Sequence, residues 1–280
     1  MLNVAVAVAE EAADHVRSRR PEVFGIVGNG TSSGDSVASK STPTDPVTVI
    51  DTESEQVIRN RLAILRPDDA ILGEEGGGDR GSIAGVRWVV DPIDGTVNFL
   101  YGVPVYAVSV AAQIDGVSVA GAVVDVAARS TYAAARGCGA TLTDSEGRVS
   151  RLRCNPITDV SMALLATGFG YSVTRRRAQG ALISEILTRV RDIRRIGSAA
   201  LDLCMVASGR VDAQFEHGLA PWDWAAGSLI ATEAGARVRI PAPHSSSADG
   251  EVVVAAAPGI ADELDELFAE IGANDPIHET

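Results

Sequence analysis

The apolar run Trp88-Val89-Val90 passes directly into Asp91-Pro92-Ile93-Asp94-Gly95-Thr96, and no other stretch constrains the chain as tightly. Such a run reads as a buried strand. Asp91 is expected to end it, because Pro92 has no N–H with which to continue the ladder. Gly95 then supplies the backbone freedom for a sharp turn, so the Gly95 and Thr96 amides can face the same pocket as the two carboxylates. Two acids and free N–H groups at one turn suit hard cations and a phosphate held by them. Asp, Pro and Gly are also ordinary turn residues, so the stretch alone is open to a reading as punctuation.

Charge and composition narrow the classes. The chain has 280 residues, enough for one large domain or two modest ones, and its 46% apolar and 22% charged residues are those of a soluble globular protein. Aromatics make up only 4% and the net charge is −13, so direct nucleic-acid binding is not expected: neither stacking platform nor basic footprint is present. A chain this acidic holds an anionic phosphate ester only where something local reverses the field, as bound divalent cations do. Cys138, Cys154 and Cys204 are odd in number and lack C-x-x-C spacing, which argues against zinc and for a reducing compartment. The apolar start, Met1 to Ala9, has no basic flank and runs into Glu10-Glu11. No stretch reaches the roughly 20 apolar residues of a membrane span. A cytoplasmic protein without membrane association is expected.

Periodicity predicts a helix over 2–20 stopped by Pro21, a Gly/Ser-rich flexible loop over 25–46, and a helix over 49–65 with Asp51 near its start. Ala70–Gly73 reads as a strand ending in Glu74-Glu75, followed by strands near 86–90, 105–114, 117–124 and 131–135. Asp115-Gly116 marks a hairpin and Asp144–Gly147 a turn. Beyond about residue 150, strands near 164–167, 193–196, 211–215 and 252–256 alternate with helices near 175–190, 199–208, 222–234 and 260–271. The expected fold class is therefore mixed α/β. A domain over 1–150 is α+β, with a largely antiparallel sheet and most of the candidate ligands. A domain over 151–280 is α/β and supplies Asp223 and the pocket residues.

Further acids stand at element ends, where layered α/β proteins collect ligands: Glu74 after a strand, Asp223 opening a helix, Asp51 after the long loop. His15, His217, His244 and His278 are scattered, so an oxygen-ligated ion such as Mg²⁺ is favoured over zinc. Arg175-Arg176-Arg177 reads as a solvated helix start, a subunit contact or an anion-facing patch. Trp222 reads as core packing that holds Asp223, and Cys204 as a buried helix residue.

Asp91-Pro92-Ile93-Asp94-Gly95-Thr96 with Asn98-Phe99, Gly73-Glu74-Glu75 upstream, and Trp222-Asp223 followed by Ala225-Ala226-Gly227 and Thr232-Glu233-Ala234-Gly235 resemble the inositol monophosphatase family over nearly the whole chain. Within it the bacterial inositol-1-monophosphatases of the SuhB type are most similar. The resemblance implies a layered αβαβα sandwich, shared with the fructose-1,6-bisphosphatase superfamily. It also implies hydrolysis of a phosphate monoester by in-line attack of water, with two Mg²⁺ ions and a third, weaker one near Glu74. One ion is then held by Glu74, Asp91 and the Ile93 carbonyl, and a second by Asp91, Asp94 and Asp223, about 3.5–4 Å apart. Asp51 and Thr96, with Glu74, act on the attacking water, and the Gly95 and Thr96 amides bind phosphate oxygens.

On the substrate side, the resemblance places Glu216, Asp94 and the Gly197-Ser198-Ala199 turn against inositol hydroxyls. Glu216 also reads as a solvated strand-end acid, and Gly197-Ser198 as a plain helix N-cap. Lys40 falls in a mobile catalytic loop, with residues 25–42 expected to order on binding metal and substrate. A homodimer and lithium sensitivity are implied as well. Inositol 1-phosphate is the favoured substrate. Histidinol phosphate, fructose 1,6-bisphosphate and 3′-phosphoadenosine nucleotides are the rivals, and a regulatory role in the transcription machinery is the alternative from another class.

Overall fold

The structure, a computed structural model, describes residues 1–25, 37–40, 46–78 and 84–279. The expectation that residues 25–42 order on ligand binding therefore falls largely outside the described residues.

The first half runs α1 (Leu2–Phe24), β1 (Val37–Ser39), β2 (Pro46–Thr48), α2 (Val49–Leu65), β3 (Ala70–Gly73), β4 (Val86–Asp94), α3 (Thr96–Tyr101), β5 (Ala107–Ile114), β6 (Val117–Asp125), β7 (Ser130–Ala135), β8 (Ala140–Thr143) and β9 (Val149–Arg151). The second half runs β10 (Leu164–Thr167), α4 (Val173–Ile186), β11 (Asp192–Arg194), α5 (Ala199–Ala207), β12 (Ala213–His217), α6 (Pro221–Glu233), β13 (Arg237–Arg239), β14 (Val252–Ala256) and α7 (Ala261–Ile271). Strands β3 to β9 form a seven-stranded sheet in chain order, antiparallel except for the β3–β4 pair. A second, five-stranded sheet has the order β11-β10-β12-β14-β13, with β10 parallel to both of its neighbours. Strands β1 and β2 pair as a separate ribbon.

Strand alternation sorts the core into layers. Trp88, Val90, Val108 and Val110 face Ala9, Val16, Ile58 and Leu62 of α1 and α2. Val89, Ala111 and Val123 face the other way, onto α5 and α6, whose far side packs on Ala166, Val253 and Ala255 of the second sheet. That sheet's outer face, with Leu165, Phe215 and Ala256, is covered by α4 and α7 through Ile186, Leu264 and Phe268. The result is five layers, αβαβα, with α5 and α6 between the sheets.

Three local expectations need correction. Pro21 does not stop α1, which continues to Phe24. Phe24 is buried edge-on against Phe99, with ring centroids 5.7 Å apart, and this packing carries the helix one turn further. Asp91 does not end β4 either. The strand runs to Asp94 through a register shift between Asp91 and Asp94, where the ladder to β5 is interrupted and Pro92 loses no bond. Finally, β1, β2, β8, β9 and β13 are strands that the sequence pattern did not mark, each too short to show alternation, and β1 with the start of β2 falls in the expected loop over 25–46.

Candidate active site

The bulge in β4 brings Asp91 and Asp94 to one face, and α6 brings Asp223 opposite them. One carboxylate oxygen from each lies within 4.8 Å of the others. Each acid is also fastened to its own chain. Asp91 Oδ1 accepts the Ile93 N–H at 3.0 Å. Asp223, three residues into α6 behind Pro221, accepts the Ala220 N–H at 2.7 Å. Asp94 Oδ2 accepts Ser198 Oγ at 2.5 Å and the Ala200 N–H at 2.8 Å, so this acid of β4 caps α5. Trp222 is buried, and its carbonyl accepts Ser109 Oγ of β5 at 3.2 Å, which fixes the start of α6 over the large sheet.

Gly95 has φ +94°, and a Cβ there would sit 3.0 Å from the Gly197 carbonyl, so the turn requires glycine. Thr96 follows, buried, its Oγ1 within 3.1 Å of Asp51 Oδ1 and 3.0 Å of the Ile93 carbonyl, either of which can accept its one proton. Asp51 Oδ2 accepts both the N–H (2.8 Å) and the hydroxyl (2.5 Å) of Thr48, a capping box at the start of α2. Asn98 Nδ2 donates to Val105 O and Ile196 O, both at 2.9 Å, and so ties α3 to the turn at 197–198.

Glu74 lies outside the 4.8 Å triad but lines the same cavity, within hydrogen-bonding reach of Asp91. Lys40 Nζ donates to Glu74 at 2.8 Å and to Glu75 at 2.5 Å. The turn carrying both acids is held from behind by Glu55, which accepts the Glu75 N–H at 2.7 Å, the Gly76 N–H at 2.8 Å and Arg59 Nε at 2.7 Å.

The electrostatics follow from burial without matching positive charge. Burial, then repulsion from Glu74, Asp94 and Asp223, pushes Asp91 well above the usual carboxylate range. Burial, then Glu74 and Asp94, does the same to Asp223. Asp94 is pushed up by burial to about 6, held back by Ser198 and the α5 amides. Burial raises Glu74 against the pull of Lys40. Burial also opposes charge on Lys40, yet Glu74 and Glu75 hold its ammonium above its ordinary value. Asp51 is pushed up by burial to about 7.

A cavity of about 490 Å³ opens over these groups, lined also by Gly197, Ser198, Ala199 and Glu216. Glu216, at the end of β12, is 9% exposed and pushed by burial to about 7, so the solvated-acid reading does not hold. A Cβ on Gly168 would come within 2.0 Å of its carboxylate, which makes Gly168 the backing of that side chain. Ser198 is the N-cap of α5, accepting the Leu201 N–H at 3.3 Å while it donates to Asp94, so the cap and the pocket wall are one residue.

Sequence reasoning missed Glu55, Asp202 and the burial of Arg175. An Arg four residues after Glu55 was the only local sign of its role. Asp202 is 1% exposed, raised first by burial and then by Glu216 and Asp94, and one of its oxygens has no partner among the described residues. Arg175 is not solvated: it is 1% exposed and bonded throughout. Cys204 is buried, as expected.

The donor set fits a hard divalent cation. It consists of carboxylates, two of them buried and the third half-buried, and has more negative charge than the chain itself neutralises. Among the described residues, no helix is long and apolar enough to cross a membrane.

A profile of the inositol monophosphatase family matches residues 1–273. An inositol-1-monophosphatase of Mycobacterium bovis is 59% identical over 279 residues, covering 98% of this chain and 95% of that protein. The solved structure of SuhB from Mycobacterium tuberculosis superposes with a TM-score of 0.81 at 53% identity, covering 98% and 97% of the two chains. A protein of Vibrio cholerae named Nus factor SuhB is 38% identical over 239 residues, 85% of this chain and 84% of that one.

Proposed function

The chain belongs to the inositol monophosphatase family and is a phosphoric monoester hydrolase, and from that premise we propose that it hydrolyses inositol 1-phosphate with Mg²⁺ as cofactor. The observation that carries this reading is the triad of buried Asp91 and Asp94 with half-buried Asp223, lining one cavity with Glu74 and Glu216. The family is metal-dependent, and the oxygen donors here suit Mg²⁺. Glu74, Asp91 and the Ile93 carbonyl would hold one ion, and Asp91, Asp94 and Asp223 a second. Lys40, now on Glu74, stands where a third would weaken that pair. Bound there, the ions supply positive charge that acidifies the attacking water and offsets charge on the phosphate and the leaving oxygen.

The chain's own groups do the rest. Thr96 Oγ1 takes the water's proton as it passes its own to Asp51 Oδ1, 3.1 Å away. Burial places Asp51 near 7, where it can accept that proton at neutral pH. The Gly95 and Thr96 amides receive phosphate oxygens. Glu216 accepts hydrogen bonds from hydroxyls of the leaving alcohol, and the turn at Gly197, Ser198 and Ala199 shapes the pocket beside it. Asp94, held by Ser198 and α5, is positioned more rigidly than a free substrate contact would be.

The test is phosphate release from inositol 1-phosphate with Mg²⁺, with a chelator, and with Li⁺ added. Turnover that requires Mg²⁺ and falls with Li⁺ is expected. Turnover on another ester of the panel instead would move the substrate to that class. No hydrolysis of any small monoester would favour a binding role of the kind the Vibrio relative's name suggests.

A further inference from the structure

Arg175 does more than start a helix. Its guanidinium is 1% exposed and is threaded past Gly218, where a Cβ would lie 2.2 Å from Nη1. Nε donates to the Ile277 carbonyl at 2.9 Å and Nη2 to the Ser247 carbonyl at 2.6 Å. Nη1 pairs with Glu279 Oε1 at 2.8 Å. The segment 273–279 is fastened at two further points: Ile277 N–H donates to Gly250 O at 2.9 Å, and His217 Nε2 donates to Ala273 O at 3.0 Å. This strap reaches the catalytic cavity, since Arg175, His217, Ser247 and Glu279 line it together with Asp91 and Glu216.

We propose that the Arg175–Glu279 pair sets the enzyme's preference for singly phosphorylated alcohols over substrates with a second phosphate. The inference rests on the phosphatase reading above. Arginine is the side chain best shaped to grip a phosphate. Here Glu279, the more exposed partner at 39%, occupies that guanidinium and adds a negative charge to the wall. A polyol meets a hydrogen-bond acceptor there. A second phosphate meets a like charge and a cation already paired, and is rejected by both effects.

The experiment measures kcat/KM for inositol 1-phosphate and for fructose 1,6-bisphosphate, with Mg²⁺, in the wild type, in Glu279→Gln and in a chain ending at Pro276. Both variants take the Glu279 carboxylate from Nη1 of Arg175, and the truncation also removes the Ile277 carbonyl, while the Ser247 contacts remain in each. The bisphosphate-to-monophosphate ratio is expected to rise about tenfold in each, as a charge-assisted guanidinium–phosphate contact becomes available. A ratio within twofold of wild type in either variant overturns the proposal, with the phosphatase reading intact. A wild type inactive on every monophosphate fails the earlier reading first, and this inference with it.

Discussion

Two buried acid sites lie side by side, and their difference shows which is built for the chain and which for a ligand. Glu55, on α2, is 2% exposed and accepts two backbone N–H groups and an arginine, so its charge is met by the protein itself. Asp91, 1% exposed, accepts one backbone N–H and otherwise faces Glu74, Asp94 and Asp223. Desolvation opposes charge in both places. Only at Glu55 does the fold supply the compensating donors. A folded chain marks its cation site as the place where buried charge is left for something else to neutralise. The satisfied acid still serves that site, because the turn it holds carries Glu74.

Asp91→Asn separates the two most sharply. Activity is expected to fall on the order of a thousandfold, since the site loses the acid shared by both proposed ions. In chelator, the same variant is expected to melt about 2–4 °C above wild type, because a repelled buried charge has been removed. Near-normal turnover at saturating Mg²⁺ would sink the shared-ligand assignment. A lower melting temperature in chelator would break the comparison itself. Glu55→Gln tests the other side. It withdraws the pair to Arg59 and one acceptor from the 75–76 amides, at a cost of about 2–3 kcal/mol with or without cation. Thermal or urea unfolding in chelator reads this directly, and an unchanged midpoint would show that Glu55 does not hold the turn.

The same division explains what the sequence made legible. Asp91, Asp94, Thr96, Glu74 and Asp223 were all visible, because each sits at a strand end or helix start whose punctuation is local. The mixed α/β class was visible too, from the shift between antiparallel strand spacing and β/α alternation, whereas the five layers were implied by the family resemblance. Glu55 lies mid-helix, where an acid usually means solvent, and Asp202 in the first turn of α5, where an acid usually means a helix-end charge, and only the packing of α2 and α5 shows otherwise. Arg175 was misread because its partners, Ser247, Ile277 and Glu279, are 72 or more residues away in sequence. Pro21 was misread because Phe99, which draws the helix onward, lies far along the chain. Local rules found groups that terminate elements. They missed groups whose role depends on a distant neighbour.

The most gradual effect, spread over several pH units and the most diagnostic of the two kinds of buried group, is the pH dependence of stability. Burial lowers His217 from 6.5 to about 4 while its Nε2 donates to Ala273 O. The unfolded chain therefore binds the extra proton between those values. This contribution is complete above 6.5 and is lost as pH falls towards 4, up to about 3 kcal/mol at roughly 1.4 kcal/mol per unit. Asp51 and Glu216 have the opposite sign. Burial raises both to about 7, so their contribution is complete below 4 and is lost as pH rises through 7. In chelator the two slopes oppose each other between pH 4 and 6.5, and above 6.5 only the acidic one remains, so the melting temperature should decline from pH 6.5 to 8. Mg²⁺ binds the deprotonated carboxylates and should flatten or reverse that decline. His217→Asn should remove the opposing slope below 6.5, so that the decline seen above 6.5 extends down towards pH 4. A metal-free melting temperature that holds level from 6.5 to 8 would mean that the acid cluster is neutralised by the chain after all, and the contrast with Glu55 would be lost.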